Sequence, residues 1–200
     1  SGKWFEQLGE WSTALSIYEK EAKEDKNETS ERDAALIRCY GHLEHWETIS
    51  STFVPLFDKK FDLSEKHETA LWFAWAFYHL RDFEQVKHYA EFFSTKDIKQ
   101  QIFIILYLIS SGQLEMAGPY IEKAFEVLAE GRGAFNGSDT GLATKILVSA
   151  QHLIELKEAL KIKKKNNDNL SDNIKDSNTS VPRMWKRRLE SFRHGSDAWM

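Results

Sequence analysis

Residues 8–18 read LGEWSTALSIY, and this stretch decides the fold. A short turn-forming set, Leu8-Gly9-Glu10, leads into a bulky residue, Trp11. A second apolar residue, Ala14, follows three positions later, and a third, Tyr18, seven later. On a helix those offsets put all three side chains on one face. The pattern returns at Trp46, Ile49 and Phe53, at Phe83, Val86 and Ala90, and at Leu114, Ala117 and Ile121. The four leading residues stand 35, 37 and 31 positions apart. Each follows a similar junction: Leu43-Glu44-His45, Leu80-Arg81-Asp82 and Ser111-Gly112-Gln113 echo the first.

A period of about 34 residues is that of a tetratricopeptide-like helical hairpin. The spacing predicts an all-α chain, an α-α superhelix built as a right-handed stack of antiparallel helix pairs. Leu71, Ala74, Trp75 and Tyr78 form one apolar stripe, and Phe73, Ala76, Phe77 and Leu80 another. A helix apolar on two faces packs against neighbours on both sides. Helices are expected near 4–9, 11–25, 31–43, 46–59, 64–81, 83–92, 95–111, 113–130, 140–165 and 182–198, with Ser94 or Thr95 capping the seventh. The glycine-rich segment 131–141 reads as a loop. The division is then repeats over 1–165, a polar insertion over 166–181, and a C-terminal helix over 182–200.

Composition agrees. Of 200 residues, 42% are hydrophobic and 29% charged, enough for a core and a solvated surface. Ten glycines and three prolines are few for a sandwich or barrel, which need many turns. The lone cysteine, Cys39, rules out an internal disulfide framework and points to a reducing compartment. The longest strictly apolar run, Ile102 to Ile109, is far short of the ~20 residues that span a bilayer. Ser1-Gly2 reads as an expression scar, and the chain is expected to begin and end within something larger.

Net charge is −4, unevenly spread. Residues 1–156 carry 16 cationic and 25 anionic side chains, residues 157–200 carry 11 and 6. An acidic body argues against nucleic acid as a partner. The basic tail groups Lys161, Lys163, Lys164 and Lys165, then Arg183, Lys186, Arg187 and Arg188. The first group reads as a helix end, where cations complement the dipole. Lys163, Lys164, Lys165, Arg183, Lys186 and Arg187 are the candidates for contact with an anionic partner. The apolar face beside them is short, so membrane contact is not expected.

No active site emerges. Cys39, His42 and His45 invite a zinc reading, but steps of three residues fall about 60° short of a turn each, so the set fans out and lacks a fourth ligand. His79 and His88 have no nucleophile beside them. The glycines of 131–137 lack the lysine and hydroxyl that end a phosphate-binding loop. Catalytic, cofactor and metal residues are therefore not assigned. Trp11, Trp46, Phe83 and Leu114 are the structural anchors, expected to be buried where helices meet. In the tail, Trp185, Leu189 and Phe192 form one stripe, expected to dock on the 140–165 helix. Trp199 is expected to be exposed and to promote self-association.

The ordered series also resembles a known family. Trp4-Phe5-Glu6-Gln7-Leu8-Gly9-Glu10-Trp11 with Ala14-Leu15 and Tyr18 is similar to a helical repeat of the FAT region of phosphatidylinositol 3-kinase-related protein kinases. Arg38-Cys39-Tyr40 with Leu43 and Trp46 resembles its next repeat, and Ala74-Trp75 with Leu80 and Phe83 the one after. Leu153, Glu155 and Leu156, then Trp185-Lys186-Arg187-Arg188-Leu189 and Trp199, resemble its closing helices. The length of the glycine loop and the polar 166–180 insertion depart from the pattern. The resemblance implies a non-catalytic scaffold that clamps a serine/threonine kinase domain. Its partners would be that domain, neighbouring repeats and regulatory subunits; ATP and magnesium would belong to the kinase domain. It implies a cytoplasmic location, peripheral to endomembranes or nuclear. A free-standing tetratricopeptide adapter for peptide tails is the other reading. It would need basic or amide side chains regularly placed on the inner helices, which are aromatic and aliphatic instead.

Overall fold

The computed structural model describes residues 1–24, 29–132 and 140–169. Among them every regular element is helical. In order these are α1 (Gly2–Gln7), α2 (Trp11–Glu24), α3 (Ser30–His42), α4 (Trp46–Thr48), α5 (Phe57–Lys60), α6 (Leu63–His79), α7 (Phe83–Ala90), α8 (Ile98–Ser110), α9 (Leu114–Arg132) and α10 (Thr140–Asn169). Helix α1 pairs with α2, α3 with the 46–60 region, α6 with α7, and α8 with α9; α10 packs on α8 and α9. The chain is an all-α helical solenoid.

The four junctions share one geometry. Gly9, Glu44, Arg81 and Gly112 each stand two residues before an anchor, and all four have positive φ, between 60° and 81°. In each junction the next N–H reaches back to a carbonyl five residues earlier: Glu10 to Phe5, His45 to Tyr40, Asp82 to Phe77 and Gln113 to Leu108, all at 2.9 Å. This Schellman bond closes one helix, and the next begins one residue later. Two junctions therefore hold a left-handed conformation without glycine, at a cost of roughly 1–2 kcal/mol each. Glu44→Gly and Arg81→Gly should each stabilise the chain by about 1 kcal/mol, and Gly112→Ala should destabilise it by a similar amount. An added Cβ at Gly112 meets nothing within 4 Å, so the penalty is purely conformational. Urea melts that show no gain for either glycine substitution would contradict the junction geometry.

The second residue of each repeat unit forms the spine of the core. Ala14, Ile49, Val86 and Ala117 are all 0% exposed. Tyr18, Phe53 and Ile121 at the third position are also buried, while Ala90 is half-buried. Close helix approach uses small residues. Gly41 of α3 lies against the indole of Trp72 on α6, where a Cβ has no room.

Four expectations need correction. The single helix expected over 46–59 is broken into α4, a π-helical turn (Ile49–Phe53), a 3₁₀ turn (Val54–Leu56) and α5. Pro55 has no N–H to offer the carbonyl of Ser51, and its ring crowds that carbonyl, so the ladder shifts register. The cap of α8 is Asp97, not Ser94 or Thr95. Its carboxylate accepts from the N–H groups of Lys99 and Gln100, and a charged acceptor suits a helix N-terminus better than a hydroxyl. The Ser94 N–H donates instead to buried Gln100, whose amide donates to the His67 carbonyl. The glycine segment is shorter than read: Gly131 and Arg132 end α9, Thr140 and Gly141 begin α10, and residues 133–139 lie outside the described residues. Finally, α10 runs to Asn169, four residues past the expected end, because the 161–169 stretch of Lys, Asn and Asp with one Ile contains no glycine or proline to stop it. The remaining insertion and the C-terminal helix lie outside the described residues.

Candidate interaction surface

The anchors are placed differently from expectation. Leu114 is buried at 6% exposure, but Trp11, Trp46 and Phe83 are only half-buried and pack on the rim of the core. Trp11 stacks on His42 with ring centroids 3.6 Å apart and planes within 8°. Trp46 stacks on His79 at 4.6 Å and 3°. Trp72 closes on His42 from 5.0 Å, and Trp75 on His79 from 5.8 Å. Each imidazole thus contacts two indoles. A wide ring at the helix start covers the junction, while the small residue three positions on fits between helices; that division explains the correction. Removing Trp46 therefore opens a site already reached by water, and costs less than the ~3–5 kcal/mol of a fully enclosed aromatic. A sequence signal for the stacks did exist: His42 and His79 each stand four residues before an anchor.

Burial against these rings holds the His79 imidazole below its ordinary range; Arg81 acts in the same direction, and Glu44 opposes both. The candidate metal trio separates. Cys39 is fully enclosed, and burial, with the Glu6 charge, pushes its thiol up to about 12. His42 is held in its stack, and His45 is exposed. Among the described residues, no group of three His, Cys, Asp or Glu side chains is placed to hold a metal ion.

The best-connected polar cluster joins α1, α2, α3 and α6. The Tyr18 hydroxyl donates to Glu6 Oε1 at 2.5 Å, and Arg38 Nε to Glu6 Oε2 at 2.9 Å. Arg38 also donates to Glu68 at 3.2 Å. Burial alone would raise the Glu6 carboxyl; the bonds from Arg38 and Tyr18 outweigh it and hold the group below its usual value. Burial and the Glu6 bond push the Tyr18 phenol well up, so it stays a donor. Such a cluster fixes four helices together and leaves no free base.

An open groove of about 750 Å³ lies between α2, α3 and the 52–60 region, lined in part by Glu19, Asp33, Tyr40, Phe53 and Lys60. Four of its polar groups pair off: Lys60 with Asp33 at 3.1 Å, Tyr40 with Glu19 at 2.7 Å.

Two of the lysines considered for an anionic partner have internal work. Lys163 Nζ donates to the Ile109 carbonyl at 2.8 Å, so it caps the C-terminus of α8, where a cation meets the negative end of the dipole. Lys164 pairs with Glu115 at 2.9 Å, and Lys157 with Glu122 at 2.7 Å. The two pairs advance seven residues in opposite directions, which fixes α9 and α10 as antiparallel. Lys165 is exposed. Arg183, Lys186 and Arg187 lie outside the described residues. In the 153–156 motif, Leu153 is buried and Glu155 is 3% exposed; one Glu155 oxygen accepts from Gln151 at 3.0 Å and the other has no partner.

Comparison with known proteins agrees with this geometry. A family model described as the FAT domain matches residues 68–200. The serine/threonine-protein kinase tor1 of Schizosaccharomyces pombe is 27% identical over 199 residues, covering 98% of this chain. The serine/threonine-protein kinase TOR2 of Saccharomyces cerevisiae is 25% identical over 201 residues, and the serine/threonine-protein kinase mTor of Drosophila melanogaster 22% over 198. In each case the chain spans only 8% of the relative's length. These relatives are target-of-rapamycin kinases, which the ordered repeats resemble.

Proposed function

The chain belongs to the FAT domain family, and from that premise we propose that it is a non-catalytic helical scaffold of a target-of-rapamycin-like serine/threonine kinase. In this role it clamps and restrains the kinase domain and offers surfaces to regulatory subunits. The observation that supports it most is the match to target-of-rapamycin kinases along 98% of the chain. ATP and magnesium belong to the kinase domain of the longer protein. Phosphoryl transfer needs a metal-bound nucleotide, a phosphate-covering loop and a base on the acceptor. No described helix is long and apolar enough to cross a membrane. We assign the scaffold to the cytoplasm, at an endomembrane surface or in the nucleus.

Calorimetry with Mg-ATP tests the division of labour. The chain should give no more heat than a control protein and should phosphorylate nothing. A specific micromolar Kd for ATP would contradict the assignment.

A further inference from the structure

We propose that a pocket of about 350 Å³, lined by α8, α9 and the segment after α7, binds small monocarboxylic acids with a hydrogen-bond donor at the end opposite the carboxylate. The pocket is separate from the groove beside α2, and the proposal does not depend on the kinase role. Its volume lies at the lower end of the ~300–1,000 Å³ of small-molecule sites.

One wall presents an acceptor. Gln101, on α8, is 3% exposed, and its amide nitrogen donates to the Ser94 carbonyl at 3.2 Å. A carbonyl only accepts, so the nitrogen must face it, and Oε1 is the atom left over. Among the described residues no group donates to that oxygen. Unlike the orphan oxygen of Glu155, it is not sealed off, so a molecule in the pocket can reach it. An amide oxygen on so enclosed a side chain calls for a donor.

The other wall presents a cation. Lys123, on α9, is exposed, and its ammonium has no carboxylate partner among the described residues. Its neighbour Glu122 is taken by Lys157. Tyr120, one turn earlier on the same face of α9, adds a hydroxyl that is likewise unpaired. Between the two walls the lining is apolar, with Phe93, Ile104 and Pro119.

This placement defines the ligand. The acceptor and the cation stand on neighbouring helices, whose axes pack ~8–10 Å apart. A fitting molecule carries a carboxylate for Lys123, a flat or branched apolar body, and an N–H or O–H that donates to Gln101 Oε1. The ammonium and carboxylate make a charge-assisted bond. A second carboxylate at the far end would meet an acceptor instead of a donor, which selects against diacids.

Calorimetry on the full 200-residue chain with para-hydroxyphenylacetate tests the site. The acid should bind with a Kd on the order of 0.1–1 mM, the range open to so small a ligand. Its amide, which lacks the charge, and phenylacetate, which lacks the donor, should each bind roughly tenfold more weakly. Lys123→Met keeps the stem and removes the charge; it should weaken the acid about tenfold and leave the amide unchanged. Pro119→Trp, at an exposed position on the rim, should fill the pocket and abolish binding while the circular dichroism stays that of the parent. No binding of the acid up to about 10 mM, or equal affinity for acid and amide, would overturn the proposal. Binding that survives both Lys123→Met and Pro119→Trp would place the acid elsewhere and overturn it equally.

Discussion

Phe57→Ala should lower the unfolding free energy by about 3–5 kcal/mol, the usual cost of deleting a fully enclosed aromatic ring. Phe57 is 2% exposed. Its ring meets Phe73 at 5.4 Å, Tyr89 at 5.2 Å and Phe92 at 4.9 Å, each edge-on, and Lys66 lies 5.0 Å above its face. The ring ties α5 to α6, α7 and the segment after α7. Its neighbours are large and rigid, so the cavity cannot collapse, and the cost should lie toward the upper end. Denaturant melts settle the value. A loss below about 1 kcal/mol would mean that this aromatic cluster is not the core of the central repeats.

Glu6→Ala has the second largest expected effect, about 2–3 kcal/mol. It leaves the Tyr18 hydroxyl and the Arg38 guanidinium without their shared acceptor. Arg38 is partly exposed and keeps Glu68, which limits the loss. The same cluster sets a pH dependence. The folded Glu6 carboxyl lies below its ordinary 4.5. Its stabilisation is therefore complete above the unfolded value and is lost as pH falls through the folded one. The wild-type chain should lose stability on acidification below about pH 4.5 more steeply than Glu6→Gln, so that their difference narrows. Parallel curves would show that Glu6 is not ionised in the cluster.

The junctions show how far a sequence can be read here. The offsets of three and seven located the buried spine, because those spacings are a direct consequence of helix geometry. The loss of glycine at Glu44 and Arg81 obscured the repeat, yet both residues adopt the same left-handed conformation as Gly9 and Gly112. Six residues of backbone hydrogen bonding fix that shape, and the side chain only makes it easier or harder. The π-helical turn before Pro55 could be suspected from the proline but not placed, because the register shift depends on how Ile49 and Phe53 settle into the core.

The surface was less legible for a different reason. The bulk of Trp11 and Trp46 suggested deep burial, but burial depends on which neighbour covers a ring, and here the cover is a histidine from the following repeat. The cluster of Glu6, Tyr18, Arg38 and Glu68 joins residues up to 62 positions apart, which no local pattern encodes. Lys163 read as a cation at the end of its own helix; instead it serves the end of α8, brought beside it by the antiparallel packing.

The central claim is that this solenoid is a scaffold for a kinase domain. It is tested most directly by sedimentation of the 200-residue chain mixed with the kinase domain of the longer protein, purified as a separate polypeptide. The account predicts a faster-sedimenting one-to-one complex that saturates with added chain. Independent sedimentation of the two at every concentration, up to hundreds of micromolar, would contradict it.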